Sequence, residues 1–241
     1  VPALRNWLGS QPRDEGVSSP AAVVGLYRRY PHPGMHKDSV SIQPRLFRNG
    51  RGLRFAGAIH EQLVTVDGAI AAPDVTLTAT IYHHGAIEGP NAVGRRHERN
   101  SRILRRCLED NPDDLRARFY LGLTSFGSED WEEAIPHLRR VIETAAEEEH
   151  DFLPKAYACL GNALLNTHQP LDAEAMLLRG LAHYPEHPEI LFCLGLTLDH
   201  LGRLEEAMAA HQAALHGRFG PSLNWHDWAC REAKPCFALC D

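Results

Sequence analysis

YACLGNALLNTHQPLDA, residues Tyr157–Ala173, decides the fold. A Leu-Gly pair, Leu160-Gly161, is followed twelve residues after the glycine by Ala173. The same spacing recurs at Leu121-Gly122 with Ala134, and at Leu194-Gly195 with Ala207. The second and third units lie 34 residues apart; the first and second lie 39 apart, the excess matching an acidic insert near Glu147–Asp151. Pro185 closes the second unit. Each unit reads as two helices. The glycine and alanine sit where the helices cross closely, because a larger side chain there would push them apart. Phe119, Tyr120, Tyr157 and Leu191 fill the space between. One pair alone cannot bury its apolar stripe, so the pairs must stack.

This period, with its Leu-Gly, Ala and Pro positions, resembles the tetratricopeptide repeat. The expected fold is mainly α: a tetratricopeptide-repeat α-α superhelix preceded by a β-rich, partial GT-A-like α/β segment. The expected boundaries are 1–91 for the β-rich part, 92–110 for a connecting basic helix and 111–218 for three repeats. Residues 219–241 read as the truncated start of a further helix or repeat. The scaffold serves many roles, so it fixes no function by itself.

Upstream, Val23–Tyr30 reads as a strand, Pro31–Gly34 as a turn, and Ser39–Phe47 as a second strand. Leu53–Ala58 is a further candidate, and Val75–Tyr82 (VTLTATIY) is the clearest. Arg95–Glu109 is helical, with Ile103, Leu104, Cys107 and Leu108 on one face, and Asn111-Pro112 ends it.

The chain has 241 residues, 44% hydrophobic and 23% charged, which is an ordinary globular composition. A net charge of -6 argues against general nucleic-acid binding. No apolar run is long enough to span a bilayer, and VPALRNWLGSQPRDEG lacks the apolar core of a signal peptide. The expected compartment is the cytoplasm, and both ends read as cut. Cys107, Cys159 and Cys193 lie in helical patterns as small apolar fillers. His226, Cys230, Cys236 and Cys240 lack the tight cysteine pair of structural zinc sites and read as reduced thiols.

Candidate chemistry starts at His60-Glu61, which closes a strand-like run. A carboxylate beside an acceptor can act as general base; the plain alternative is a surface pair at a strand end. His83-His84 follows Val75–Tyr82. Imidazole can ligate a divalent cation, but neighbouring residues on a strand face opposite ways, so at most one of the two faces a given site. Spacing does not choose between them.

Arg45-Leu46-Phe47-Arg48-Asn49, then Phe55-Ala56-Gly57-Ala58-Ile59-His60-Glu61, then Ile81-Tyr82-His83-His84-Gly85-Ala86, then Arg99-Asn100 in a basic helix, form an ordered series. It resembles the C-terminal part of the catalytic domain in family-2 glycosyltransferases that carry tetratricopeptide repeats. The resemblance covers about residues 23–112, with His84 and Ala86 departing from two aromatics. It implies a GT-A-type domain using a nucleotide-diphosphate sugar, with Glu61 as catalytic base beside His60 and His83 as the metal-contacting histidine. Arg45, Arg48 and Arg99 would contact the diphosphate or acceptor. Mn²⁺ or Mg²⁺ would neutralise the leaving diphosphate. No Asp-x-Asp occurs in the sequence, so the main carboxylates of that metal site are missing, and the chain alone is expected to be inactive. The acceptor would be a protein or peptide recruited by the repeats. The alternative is a non-catalytic repeat adaptor.

Two further surfaces remain. Arg95, Arg96, Arg99, Arg102, Arg105 and Arg106 crowd one helix; they either steer a diphosphate or acidic partner, or solvate its outer face. The first helices of the repeats place Arg116, Phe119, Leu123, Phe126, Lys155, Asn162, Asn166, Glu189, Phe192, Asp199 and His200 on an inner groove. That mixture suits an extended peptide, with the asparagines gripping its backbone; the plain alternative is a solvent-facing groove.

Overall fold

The computed structural model describes residues 24–30, 39–47, 50, 52–71, 75–82, 90–145 and 150–218. The chain divides into two compact units, Val1–Gly89 and Pro90–Asp241.

In the first unit β1 (Val24–Tyr30), β2 (Ser39–Leu46) and β5 (Val75–Tyr82) form a sheet in the order β2-β1-β5. β1 runs antiparallel to β2, Tyr30 facing Ser39, and parallel to β5, Val24 facing Val75. The Thr/Val alternation of VTLTATIY thus ends in a strand, as its period requires. β3 (Arg54–Ala56) and β4 (Gln62–Val64) make a separate short antiparallel hairpin, Phe55 facing Leu63. Gly57, at φ 110°, takes the turn at no steric cost. Leu63 and Val64 are buried. Thr65 hydroxyl donates to Asp67, and Gly68 N–H to Thr65 carbonyl at 3.0 Å, closing the next turn.

The second unit holds seven helices among the described residues. They are α1 (Pro90–Asp110), α2 (Leu115–Gly127), α3 (Trp131–Thr144), α4 (Leu153–Asn166), α5 (Pro170–His183), α6 (Pro188–His200) and α7 (Leu204–His216). α2/α3, α4/α5 and α6/α7 are the three repeats. Local chemistry sets their starts. Asp114 and Asp130 accept the backbone N–H of Ala117 and Glu133 at the starts of α2 and α3. α4, α5 and α6 carry a proline in the first turn, where no N–H is needed.

The crossing rule read from sequence is met atom by atom. An added Cβ on Gly122 would stand 3.0 Å from Leu138, on Gly161 2.5 Å from Leu177, and on Gly195 2.3 Å from His211. Ala134, Ala173 and Ala207 are wholly buried. Phe119 stacks on Phe152 at 4.9 Å, joining the first repeat to the start of the second. α1 lies against α2, with Leu104 buried and His97 Nδ1 within 2.8 Å of Ser128 Oγ. Cys159 and Cys193 are buried in the helices of the repeats, as the filler reading expects.

Candidate functional site

The inner surface of the repeats is built from α2, α4 and α6. α4 contacts both neighbours directly, so the three form one continuous face. Much of its charge is tied up within the protein. Arg116 Nη2 reaches Asp151 at 3.5 Å, and its guanidinium lies 5.3 Å over the Phe152 ring. Lys155 Nζ pairs with Glu189 at 2.9 Å, across from α4 to α6, and the Glu189 side chain is 3% exposed. These pairs link one repeat to the next. Arg116 and Lys155 are thus inter-repeat ties.

Phe119 and Phe192 correct the groove expectation. Both are buried, Phe119 at 1% exposure, and both belong to the packing between helices rather than to an accessible surface. The physical reason is period: at 3.6 residues per turn, an aromatic three residues before a crossing glycine lies toward the partner helix as readily as toward the groove. Asn166 is exposed on α4. Its Nδ2 donates to the Asn162 carbonyl at 2.9 Å and to Asn162 Oδ1 at 2.8 Å, so the two amides form one preset pair. Asp199, partly exposed on the last turn of α6, accepts His211 Nε2 at 3.0 Å. His200 beside it is exposed.

Spacing within one repeat does not point to His211. It occupies the slot that Leu138 and Leu177 fill in the other repeats, four residues after the buried alanine. Its ring is 1% exposed and Nδ1 is buried without a hydrogen-bond partner. Aligning the three units on their alanines shows the substitution; a single-position reading does not.

In the first unit His60 and Glu61 do not close a strand. They lie in the turn between β3 and β4, because the chain bends at Gly57 and β4 begins only at Gln62. Both are exposed. His60 has φ 51°, a left-handed backbone that a non-glycine residue rarely adopts. Arg45 is exposed and donates to the Pro44 carbonyl at 3.3 Å. Arg99, exposed on α1, donates to Asn100 Oδ1 at 2.9 Å. Arg48, His83 and the C-terminal cysteines lie outside the described residues. Among the described residues no three His, Cys, Asp or Glu side chains converge as an ion site. They do not by themselves make up the Mn²⁺ or Mg²⁺ site that the resemblance implies.

Electrostatic shifts gather where α1, α2 and α3 meet. His97 is held below its ordinary value by burial and by Arg96. His137 is lowered by burial, which outweighs the opposing pull of Glu133. Burial pushes Glu133 up, but hydrogen bonds from Arg105 (2.6 Å) and Ser125 (2.7 Å) and the charge of Arg105 bring it net down.

Residues 97–149 and 160–223 match the tetratricopeptide-repeat family model. Protein O-mannosyl-transferase Tmtc3 of Drosophila melanogaster is 29% identical over 114 residues, 47% of this chain and 12% of that protein. Tetratricopeptide repeat protein 7A of Homo sapiens is 28% identical over 127 residues, 48% of this chain and 15% of that protein. The chain therefore spans a small part of the curated relatives it matches. Among solved structures, MamA AMB-1 is 25% identical, covering 49% of this chain and 62% of that chain at a TM-score of 0.44. MamA MSR-1 is 20% identical, covering 56% and 79%, at 0.44. The chain carries tetratricopeptide repeats, and its fold is mainly α. No described helix is long and apolar enough to cross a membrane.

Proposed function

We propose that this chain is a protein-binding module whose repeats hold an extended peptide or protein segment along α2, α4 and α6. One observation carries the reading: the three helices form a continuous face on which the preset Asn162–Asn166 amide pair and the His211-anchored Asp199 remain within reach of solvent. Paired amides suit the alternating donors and acceptors of a peptide backbone. The ion pairs Arg116–Asp151 and Lys155–Glu189 hold the face in one curvature before a partner arrives, which lowers the ordering cost of binding. The test is affinity capture with the chain and with Asn162→Ala/Asn166→Ala, read by quantitative mass spectrometry. Partners lost from the variant, with helicity unchanged, support the groove. An identical partner set in both rejects it.

A second reading is favoured by the His60–Glu61 turn. A non-glycine residue in the left-handed region, on an exposed His-Glu, is a feature that gathers at functional turns. The series of motifs resembles a family-2 glycosyltransferase, and one relative bears the name of an O-mannosyl-transferase. On this reading the chain is part of a sugar transferase using a nucleotide-diphosphate sugar, Glu61 takes the acceptor proton, and the repeats recruit the acceptor. Glu61→Gln in the full-length protein should then abolish sugar transfer with the melting temperature unchanged. Undiminished transfer removes Glu61 from that role.

A further inference from the structure

α1 carries a charged face of which the transferase reading uses only Arg99. We infer that this face is a docking surface for an acidic polypeptide segment, recognised by the exposed stripe Arg95, Arg99, Arg102 and Arg106. The four follow the spacing i, i+4, i+7, i+11, which places them within an arc of about 60° over a length of roughly 16 Å. All four are exposed. The opposite face, with Ser101 and Leu104, is buried.

The stripe is not neutralised within the described residues. Arg105, off the arc, pairs with Glu133 at 2.6 Å. Arg99 reaches only the amide oxygen of Asn100. No ion pair among the described residues joins Arg95, Arg99, Arg102 or Arg106 to a carboxylate, although Glu109 and Asp110 flank the arc and Glu98 lies a little further round. Like charges at helical neighbour spacing repel, and a bound anion relieves that repulsion.

Geometry and charge choose the occupant. Guanidinium forks pair with carboxylates through two parallel hydrogen bonds. An extended chain rises about 3.3 Å per residue, so acidic side chains on alternate residues stand about 6.6 Å apart. That is close to the roughly 5–6 Å between neighbouring arginines on the helix. The stripe accommodates about five residues of such a segment. A long nucleic acid is disfavoured by the repeats, where residues 111–218 hold 18 Asp and Glu against 8 Lys and Arg, a net of -10. An anionic bilayer is disfavoured because the large exposed hydrophobics among the described residues include none on α1. A short acidic segment needs only the stripe and avoids the acidic surface beyond it.

The test is fluorescence anisotropy of a labelled, alternating Glu-Ser decapeptide with the full chain at low salt. The Gln-Ser peptide, an RNA oligonucleotide and phosphatidylserine vesicles serve as competing probes. The Glu-Ser peptide should bind, weaken as salt rises, and exceed the Gln-Ser peptide. Each exposed pair contributes about two- to fivefold, so Arg95→Gln/Arg102→Gln/Arg106→Gln should weaken binding by about tenfold or more. Glutamine keeps the helix and the exposed positions, and circular dichroism verifies this. The charge-reversed triple to Glu should abolish binding. Unchanged affinity in the Gln triple, or equal binding of the Gln-Ser peptide, overturns the proposal. Tighter binding of the RNA or the vesicles overturns it in favour of that class of partner.

Discussion

Gly161 and Gly94 are both helical glycines, yet their substitution by alanine should have opposite effects. At Gly161 the new methyl would stand 2.5 Å from Leu177. The overlap should outweigh the roughly 1 kcal/mol of helix propensity gained and leave a net loss of about 1–3 kcal/mol. At Gly94 nothing lies within 4 Å, so Gly94→Ala should stabilise by about 0.5–1 kcal/mol. Urea unfolding of both variants reads the sign directly. His211 gives a second residue-scale expectation. His211→Leu restores the side chain of the two other repeats and removes a buried, unsatisfied Nδ1. It should raise stability by about 1 kcal/mol while releasing Asp199. A lower melting temperature would mean that the Asp199 bond outweighs the orphaned nitrogen. The period announced the crossing glycines; the Leu-to-His exchange needed the three units aligned.

Between elements, ion pairs do the joining. Lys155→Met leaves Glu189, 3% exposed, without its partner on α4. It should destabilise by about 1–3 kcal/mol, less than a fully buried pair because Lys155 is 20% exposed. Lys155→Met/Glu189→Leu should recover most of that, and a double-mutant cycle with no coupling would show that the pair is incidental. The α1–α3 junction adds a pH dependence. His97 and His137 are both lowered from 6.5, so the unfolded chain binds protons first. Their contribution is complete above about 6.5 and is lost as pH falls through the lowered folded values. Glu133, also lowered, withdraws its own contribution further into acid. His97→Gln/His137→Gln should flatten the loss beginning below pH 6.5, as seen in melting temperature against pH; an unchanged profile would place the titration elsewhere. No spacing rule shows these partners, because Arg105 and Glu133 are 28 residues apart.

For the whole molecule, the division between Gly89 and Pro90 predicts that a chain beginning at Pro90 keeps its helical circular dichroism and a cooperative melt. Collapse of that signal would mean that residues 1–89 are needed to fold the repeats. The repeats were legible because a helix pair repeats its side chains at a fixed period, and any reader of the sequence can count it. The three strands of the larger sheet are legible nearly to their ends for the same reason, Ser39–Phe47 shortening to Ser39–Leu46 and Val75–Tyr82 standing unchanged, whereas β4 (Gln62–Val64) is not legible at all. Three-residue strands are too short to show a period, so spacing alone makes the turn holding His60 and Glu61 look like a strand end. Sequence by itself determined the helix pairs, their crossing points and the arginine stripe, all of which follow from local spacing along one chain. Only the tertiary structure decided that Phe119 and Phe192 are core, that Arg116 and Lys155 are tied to Asp151 and Glu189, and that His211 holds Asp199. Those outcomes depend on which side chains meet across helices, and short-range contact in a packed interior is not written in linear spacing.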